Sequence, residues 1–250
     1  MRLLALQLKW EQLAFWRNPQ SAFFTFAFPL MFLVVFATLN ADSHLKELGG
    51  ISYNTYFVPA ILAFGLMSAC YSNLAMGVTE RRETGALKRL RGTPLPAWAL
   101  VGGLLLSSLV VTGALTVVTV TTGVAFYDVH LPFHPLPLIA ALGLGAATFC
   151  ALGIAVSTLV PNAEAAPAIV QFPFFLLNFV SGVFFPVTSG SLHTLATWFP
   201  LEHMVHASFA AFDPREHGTA FHGNDFLVMA VWAAASTAVA IRRFRWEPRR

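Results

Sequence analysis

Long uncharged stretches alternate with short charged ones along this chain. Residues 18–41, 48–79, 92–127, 129–163 and 165–201 contain no Asp, Glu, Lys or Arg, and a shorter uncharged run covers 226–241. A helix needs about 20 apolar residues to cross the hydrocarbon core of a bilayer. Trimming the polar ends predicts spans near 21–39, 55–77, 98–122, 137–159, 166–186 and 224–242. Asn224 and Asp225 mark the outer end of the last, whose uncharged run is the shortest. No strong polar face alternates with the apolar one, which argues against helices buried in a soluble bundle. The pattern predicts an all-α integral membrane fold with six transmembrane helices. It forms a single unit over 1–250: an interfacial segment at 1–20, the six-span bundle at 21–242 and a basic tail at 243–250.

Composition points the same way. Of 250 residues, 56% are apolar and 11% charged, against about 25% charged in soluble domains. A chain this short has no aqueous core large enough to hide that much apolar surface. Cys70 and Cys150 stand alone in apolar runs, so neither a disulfide framework nor a CxxC metal site is expected. The first 17 residues carry Trp10, Glu11, Trp16 and Arg17 without a long apolar stretch, unlike a cleavable signal peptide.

Charge orients the chain, because loops rich in Lys and Arg stay in the cytoplasm. With the N-terminus inside, the inner segments hold Arg2, Lys9 and Arg17, then Arg81, Arg82, Lys88, Arg89 and Arg91, then Arg242, Arg243, Arg245, Arg249 and Arg250. Only Lys46 and Arg215 fall outside. Both termini are therefore expected in the cytoplasm, in a multi-pass protein of the inner or plasma membrane. All eight histidines (44, 130, 134, 193, 203, 206, 217 and 222) then lie on the outer side.

Residues 2–17 read as a helix on the inner membrane surface, with Leu3, Leu6, Trp10 and Leu13 in one stripe and Trp at the headgroup level. Arg17-Asn18-Pro19 breaks it. The segment 80–92 reads ERRETGALKRLRG and is too charged for lipid. Its helix formers predict a short helix, stopped by Gly92 and Pro94. Helical spacing puts Glu80, Glu83, Leu87 and Leu90 on one face and Arg81, Arg82, Lys88 and Arg89 on the remainder. Two acids and two leucines together suit docking into a partner's groove; a plain solvated loop is the alternative. Gly143, Ala147, Ala151 and Ala155 recur at i+4, a small-residue seam for close helix packing, either within the chain or between subunits. Pro161-Asn162-Ala163-Glu164 forms a tight inner turn.

Gly182 and Pro186 break the fifth span near its outer end. Two short helices, about 190–199 and 201–211, are expected on either side of Pro200. They are too short to cross and too apolar for an exposed loop, which predicts a re-entrant hairpin covered by protein or a water-filled cavity. Gly182, Phe184, Phe185, Pro186 and Pro200 are the gate candidates.

Intrinsic chemistry is sparse. No GxxxxGK[ST] pattern occurs, so no P-loop nucleotide site is expected. No Asp, Glu, Lys or Arg lies mid-span, unlike ion-coupled transporters, so the energy must come from elsewhere. Asn73, Gln171, Phe175, Asn178 and Ser181 are the candidates for a substrate path, with Phe172, Phe174 and Phe179 extending an aromatic wall. Glu202, His203, His206, Asp213, Glu216, His217 and His222 could ligate a metal, but no HExxH or other diagnostic spacing is present.

The ordered set of features resembles the ABC-2 type permease family, in particular its drug-exporter branch, similar to daunorubicin-resistance permeases. The set is the start ending in Arg17-Asn18-Pro19, Pro29 within the first span, Glu80-Arg81-Arg82-Glu83-Thr84-Gly85 with Leu87, Leu90 and Thr93-Pro94, then Ser181-Gly182-Val183-Phe184-Phe185-Pro186 and Pro200-Leu201. The resemblance implies that Glu80, Arg81, Arg82, Glu83, Gly85, Leu87 and Leu90 belong to a coupling helix. That helix docks on a separate ATP-binding subunit, present in two copies, which holds the ATP and Mg. It also implies a second permease chain, read as identical, with the path between the two. The cargo is then a hydrophobic drug, lipid or glycolipid-like compound. No cofactor of the chain's own and no nucleic-acid partner are expected; membrane lipid is. Two other readings stay open: a membrane-embedded metal-dependent enzyme using the outer His and acidic residues, and a passive channel or structural subunit.

Overall fold

A computed structural model of the chain describes residues 2–93, 95–216 and 218–244. Pro94, His217 and the basic tail residues Arg245, Arg249 and Arg250 lie outside the described residues. Helix α1 (Arg2–Trp16) precedes a first long helix built of α2 (Pro19–Ala22), a π-helical turn (Phe23–Ala27) and α3 (Phe28–Leu39). Asn18 caps α2 by accepting from the Ser21 N–H at 3.1 Å, and Pro19 takes the first turn, where its missing donor costs nothing. Pro29 cannot donate to Thr25 four residues back, and the π-helical turn sits at that position. A two-residue hairpin, β1 (His44–Leu45) with β2 (Ile51–Ser52), leads into α4 (Tyr53–Met67). A second π-helical turn (Ser68–Ser72) joins α4 to α5 (Asn73–Glu83). Together they make a 31-residue helix, Tyr53–Glu83, that is largely buried inside the chain.

After α6 (Ala86–Arg91) come α7 (Ala97–Tyr127), α8 (Pro135–Ser157), α9 (Ala166–Val180), α10 (Gly190–Ala196), α11 (Pro200–Ala210) and α12 (Gly223–Arg243). The α4–α5 rod is the axis. Its Phe57, Ile61, Phe64 and Met67 are fully buried, while large apolar side chains such as Leu39, Phe126, Leu136 and Ile241 are more than 70% exposed. An apolar exterior of this extent belongs in lipid, and the fold is an all-α integral membrane fold.

Five helices among the described residues are long and apolar enough to cross a bilayer. The expected fifth span differs from its 166–186 reading. Its helix has 15 residues, about 22 Å of rise against a core of about 30 Å. Beyond Val180 the chain turns at Gly182 (φ 76°) and runs on irregularly through the buried Val183 and Phe184. Two backbone carbonyls of that stretch, outside any helix, are matched by phenols. Tyr53 donates to the Phe184 carbonyl at 2.8 Å and Tyr56 donates to the Gly182 carbonyl.

The small-residue stripe of α8 does not face the α4–α5 rod within the chain. Gly143 has open space where a side chain would stand and Ala147 is exposed. The close approaches on α8 are one residue set round: a Cβ on Gly153 would stand 2.8 Å from the Tyr71 carbonyl oxygen, and one on Gly145 2.7 Å from Leu66 and Met204. The i+4 stripe was real in sequence, but the helix turned a different face to the α4–α5 rod.

Candidate functional site

The charged segment does not form one helix. Glu80-Arg81-Arg82-Glu83 is the last turn of α5, and Thr84-Gly85 interrupts the chain before α6. Gly85 adopts φ 71°, the left-handed conformation a residue without Cβ accepts freely, and its N–H donates to the Arg82 carbonyl at 3.2 Å. The break re-aims the faces. Leu87 turns into the core at 2% exposure, while Glu80, Glu83, Lys88 and Arg89 point outward and Leu90 is half-buried. The expected face shared by Glu80, Glu83, Leu87 and Leu90 is not present, because a single helical register does not continue through Gly85.

The two expected surface arginines turn inward. Arg81 makes a two-pronged pair with Glu11 of α1, Nη1 to Oε1 at 2.8 Å and Nη2 to Oε2 at 2.6 Å, the planar geometry that makes such pairs strong. Gln7 donates to the same Glu11 at 2.9 Å. Arg82, 4% exposed, donates to the Ser157 carbonyl at 2.9 Å and the Val160 carbonyl at 2.5 Å, capping the end of α8. Glu83 accepts from the backbone N–H of Ala163, in the turn that enters α9. Three consecutive charged residues thus fasten the segment to α1, to α8 and to the start of α9. Glu11 was not among the sequence candidates, although it is the only acid in the first 41 residues.

Helix α1 lies along α7, where Gly102 and Gly103 admit Leu4 and Gln7 and Gln12 donates to the Ser107 carbonyl at 3.0 Å and its hydroxyl at 2.9 Å. Its Leu3, Leu6, Trp10 and Leu13 stripe is exposed, as a helix at a lipid surface requires. Between α1 and α6 opens a shallow cleft of about 550 Å3 lined by Trp10, Glu11, Arg81, Ala86, Arg89 and Leu90, among others.

Three of the five path candidates come together. Asn73, Gln171 and Phe175 line one groove of about 380 Å3 between the first long helix, α5 and α9, with Phe24, Phe28, Ser68 and Ser72. Asn73 donates to the Thr25 hydroxyl, tying the first π-helical turn to the start of α5. Such turns concentrate at functional sites. Asn178 stands apart: it is fully buried and donates to the Phe174 carbonyl at 2.7 Å. Ser181 lies at the opposite end of the bundle, buried, its hydroxyl without a partner among the described residues. On α9, Phe172, Phe175 and Phe179 are exposed along one side while Phe174 is buried, so the aromatic wall has three members.

Of the gate candidates, Gly182 and Phe184 are buried, Phe185 is 58% exposed, Pro186 is half-buried, and Pro200 opens α11. Phe184 packs against Phe32, Phe36 and Phe64 at 5.4, 5.6 and 6.0 Å. Helix α11 returns into the bundle and packs on α4, α8 and α12. The histidines there are held by protein. His203 and His206 each place Nδ1 2.7 Å from an oxygen of Asp225, and no group of three or more His, Cys, Asp or Glu suited to a metal occurs among the described residues. Sequence reasoning grouped these histidines with each other and missed Asp225 as their partner.

A family model described as ABC-2 type transporter matches residues 2–212. No curated protein matches the chain.

Proposed function

The chain belongs to the ABC-2 type transporter family, a membrane transport component rather than a catalytic enzyme, and from that premise we propose that it is the permease of an exporter powered by a separate ATP-binding subunit. Two such subunits hold the ATP and Mg beneath two copies of the permease, with six crossings per chain and both termini in the cytoplasm. The observation that carries this reading is the fastening of the charged segment through Arg81–Glu11, Arg82–Ser157/Val160 and Glu83–Ala163. A push on the exposed Glu80 or Arg89 cannot move this segment alone. It displaces α1, the end of α8 and the entry of α9 with it.

The seven coupling candidates divide the work. Glu80 and the half-buried Leu90 offer surface to the partner, joined by Lys88, Arg89 and the cleft beside Trp10, and the exposed Glu83 does so while also holding Ala163. Arg81, Arg82, Gly85 and Leu87 transmit: they bond, bend or pack the segment onto the bundle. The groove holding Asn73, Gln171 and Phe175, with the aromatic side of α9, is assigned to the translocation path at the meeting of two copies. Its mild polar groups and aromatic rings suit a hydrophobic cargo with a few hydrogen-bonding atoms. Gly182–Pro186 and α11 form the exit.

The test is reconstitution with the partner ATPase. Cysteines at Glu80 or Arg89 are expected to crosslink to that subunit, and Glu83→Lys is expected to uncouple hydrolysis from transport while the spans stay folded. Full uphill transport by Glu83→Lys, together with absent crosslinks, overturns the reading. Leu87→Asp is the wrong probe of docking, because it places a charge in the core.

A further inference from the structure

One cluster at the histidine-bearing end is not used by the transport reading. Asp225, in the first turn of α12, faces two side chains of α11: His203 Nδ1 at 2.7 Å from Oδ1 and His206 Nδ1 at 2.7 Å from Oδ2. The other nitrogen of His203, Nε2, stands 3.0 Å from the carbonyl oxygen of Thr197, in the turn after α10. A carboxylate and a peptide carbonyl both only accept. A ring that satisfies both must donate from both nitrogens, and an imidazole with two N–H groups is a cation. His203 is 4% exposed, so water does not replace a bond lost there.

We infer that His203, Asp225 and His206 form a proton-held latch that fastens α11 to α12 and to the turn after α10, and that releases when His203 gives up its proton. The neutral ring keeps one N–H and must present a lone pair to either Asp225 or Thr197. At this burial the geometry cannot persist. The neighbouring titratable and charged groups are Glu202, whose Oε2 is 3.5 Å from His203 Nδ1; His222, its ring 4.9 Å from that of His206; and Glu216, 3.4 Å from His222. Tyr56 of α4 and His193 of α10 share with Glu202 and His206 a cavity of about 200 Å3 beside the Gly182 turn. Of these acids, Asp225 and Glu202 favour the charged form of the His203 ring. Burial by itself would lower the His203 affinity for a proton. The bonds to Asp225 and Thr197 and the charge of Glu202 outweigh it, and the net shift is upward. His206 is also raised, chiefly by its bond to Asp225.

The sign follows. A histidine whose folded pKa lies above the ordinary value of about 6.5 holds the latch shut below that value and releases it as pH rises through the folded pKa. Because α11 supplies Glu202, Val205, His206 and Phe209 to the wall of the 200 Å3 cavity, release opens that cavity beside the Gly182 turn.

The test needs neither cargo nor ATPase. The full chain in lipid nanodiscs, labelled with 15N-histidine, is titrated by NMR, the His203 signals being those lost in His203→Gln. Both nitrogens are expected protonated at the acid end of the titration, with a midpoint above about 6.5. Hydrogen exchange across 200–210, corrected for its intrinsic pH dependence, is expected to rise above that midpoint. The rise is about tenfold for each unit by which latching raises the proton affinity, and it is absent in His203→Gln. A His203 midpoint at or below about 6.5, or exchange that stays flat through its titration, overturns the latch. Should His203→Gln fail to fold, the signals are assigned by elimination among the remaining seven histidines, each replaced singly, and the wild-type titration decides.

Discussion

The two ends of the bundle are fastened by different chemistry. At the basic end, guanidinium groups do the holding: Arg81 on Glu11 and Arg82 on two backbone carbonyls. At the histidine-bearing end, imidazoles and phenols do it: His203 and His206 on Asp225, Tyr53 and Tyr56 on the carbonyls of an irregular stretch. A guanidinium stays charged at every physiological pH, so the first set of bonds is permanent. An imidazole changes charge near neutrality, so the second set is conditional. On the proposed function this contrast has a use: an end that receives force stays rigidly joined to the spans, and an end that releases cargo is able to let go.

The comparison breaks most severely at Arg82. Removing it with Arg82→Ala leaves two buried carbonyls without donors and should destabilise the chain by about 3 kcal/mol, read as a fall in thermal midpoint. Arg82→Lys should recover only part of this, because one ammonium cannot match the fork; full recovery by lysine would mean that charge alone matters.

Next comes Tyr56→Phe, which leaves the Gly182 carbonyl unpaired for a cost of about 1–2 kcal/mol, with increased proteolysis near 182–188 as the local readout. An unchanged midpoint and digest would remove the phenol from its role as clamp. A smaller effect is expected for the Arg81–Glu11 pair, whose arginine is partly exposed. Arg81→Glu should cost about 1 kcal/mol, and adding Glu11→Arg should restore ATP-coupled transport. Failure of the double exchange to restore it would separate α1 from coupling.

Raising pH sharpens the contrast directly. The His203 and His206 shifts are upward, so their stabilisation is complete below about pH 6.5 and fades as pH climbs through the folded values. Stability of the histidine-bearing end should fall from pH 6 to 9 while protection of residues 80–91 stays constant. Smallest in stability is Glu80→Ala, an exposed change expected to stay within about 0.5 kcal/mol while lowering stimulation of the partner ATPase.

How much of this was legible in the chain follows from the range of each signal. Uncharged runs report the lipid directly, since a buried charge there is costly over the whole length of a helix. Breaks at Asn18-Pro19, Gly92, Pro200 and the Gly182 turn were readable, because proline and glycine act through local backbone geometry. The interruption at Gly85 was open to the same argument, but the good helix formers on either side favoured one continuous helix. The fifth span was read too long, because apolar composition continues past Val180 while the helix stops.

The amino-acid sequence by itself determined that the chain is a multi-helix membrane protein, where most of its helices start and stop, and that it carries one dense charged segment between its second and third long helices. These rest on interactions between near neighbours and on hydropathy, both local. Only the tertiary structure decided which side of each element faces inward: that Arg82 and Leu87 are buried while Glu80 and Arg89 are exposed, that Gly145 and Gly153 make the tight contacts on α8, and that Asp225 holds two histidines 19 and 22 residues away. The physical reason is that lipid makes the outer surface as apolar as the core. In such a chain the contrast that orients a helix in water is missing, and packing between distant segments settles the rotation instead.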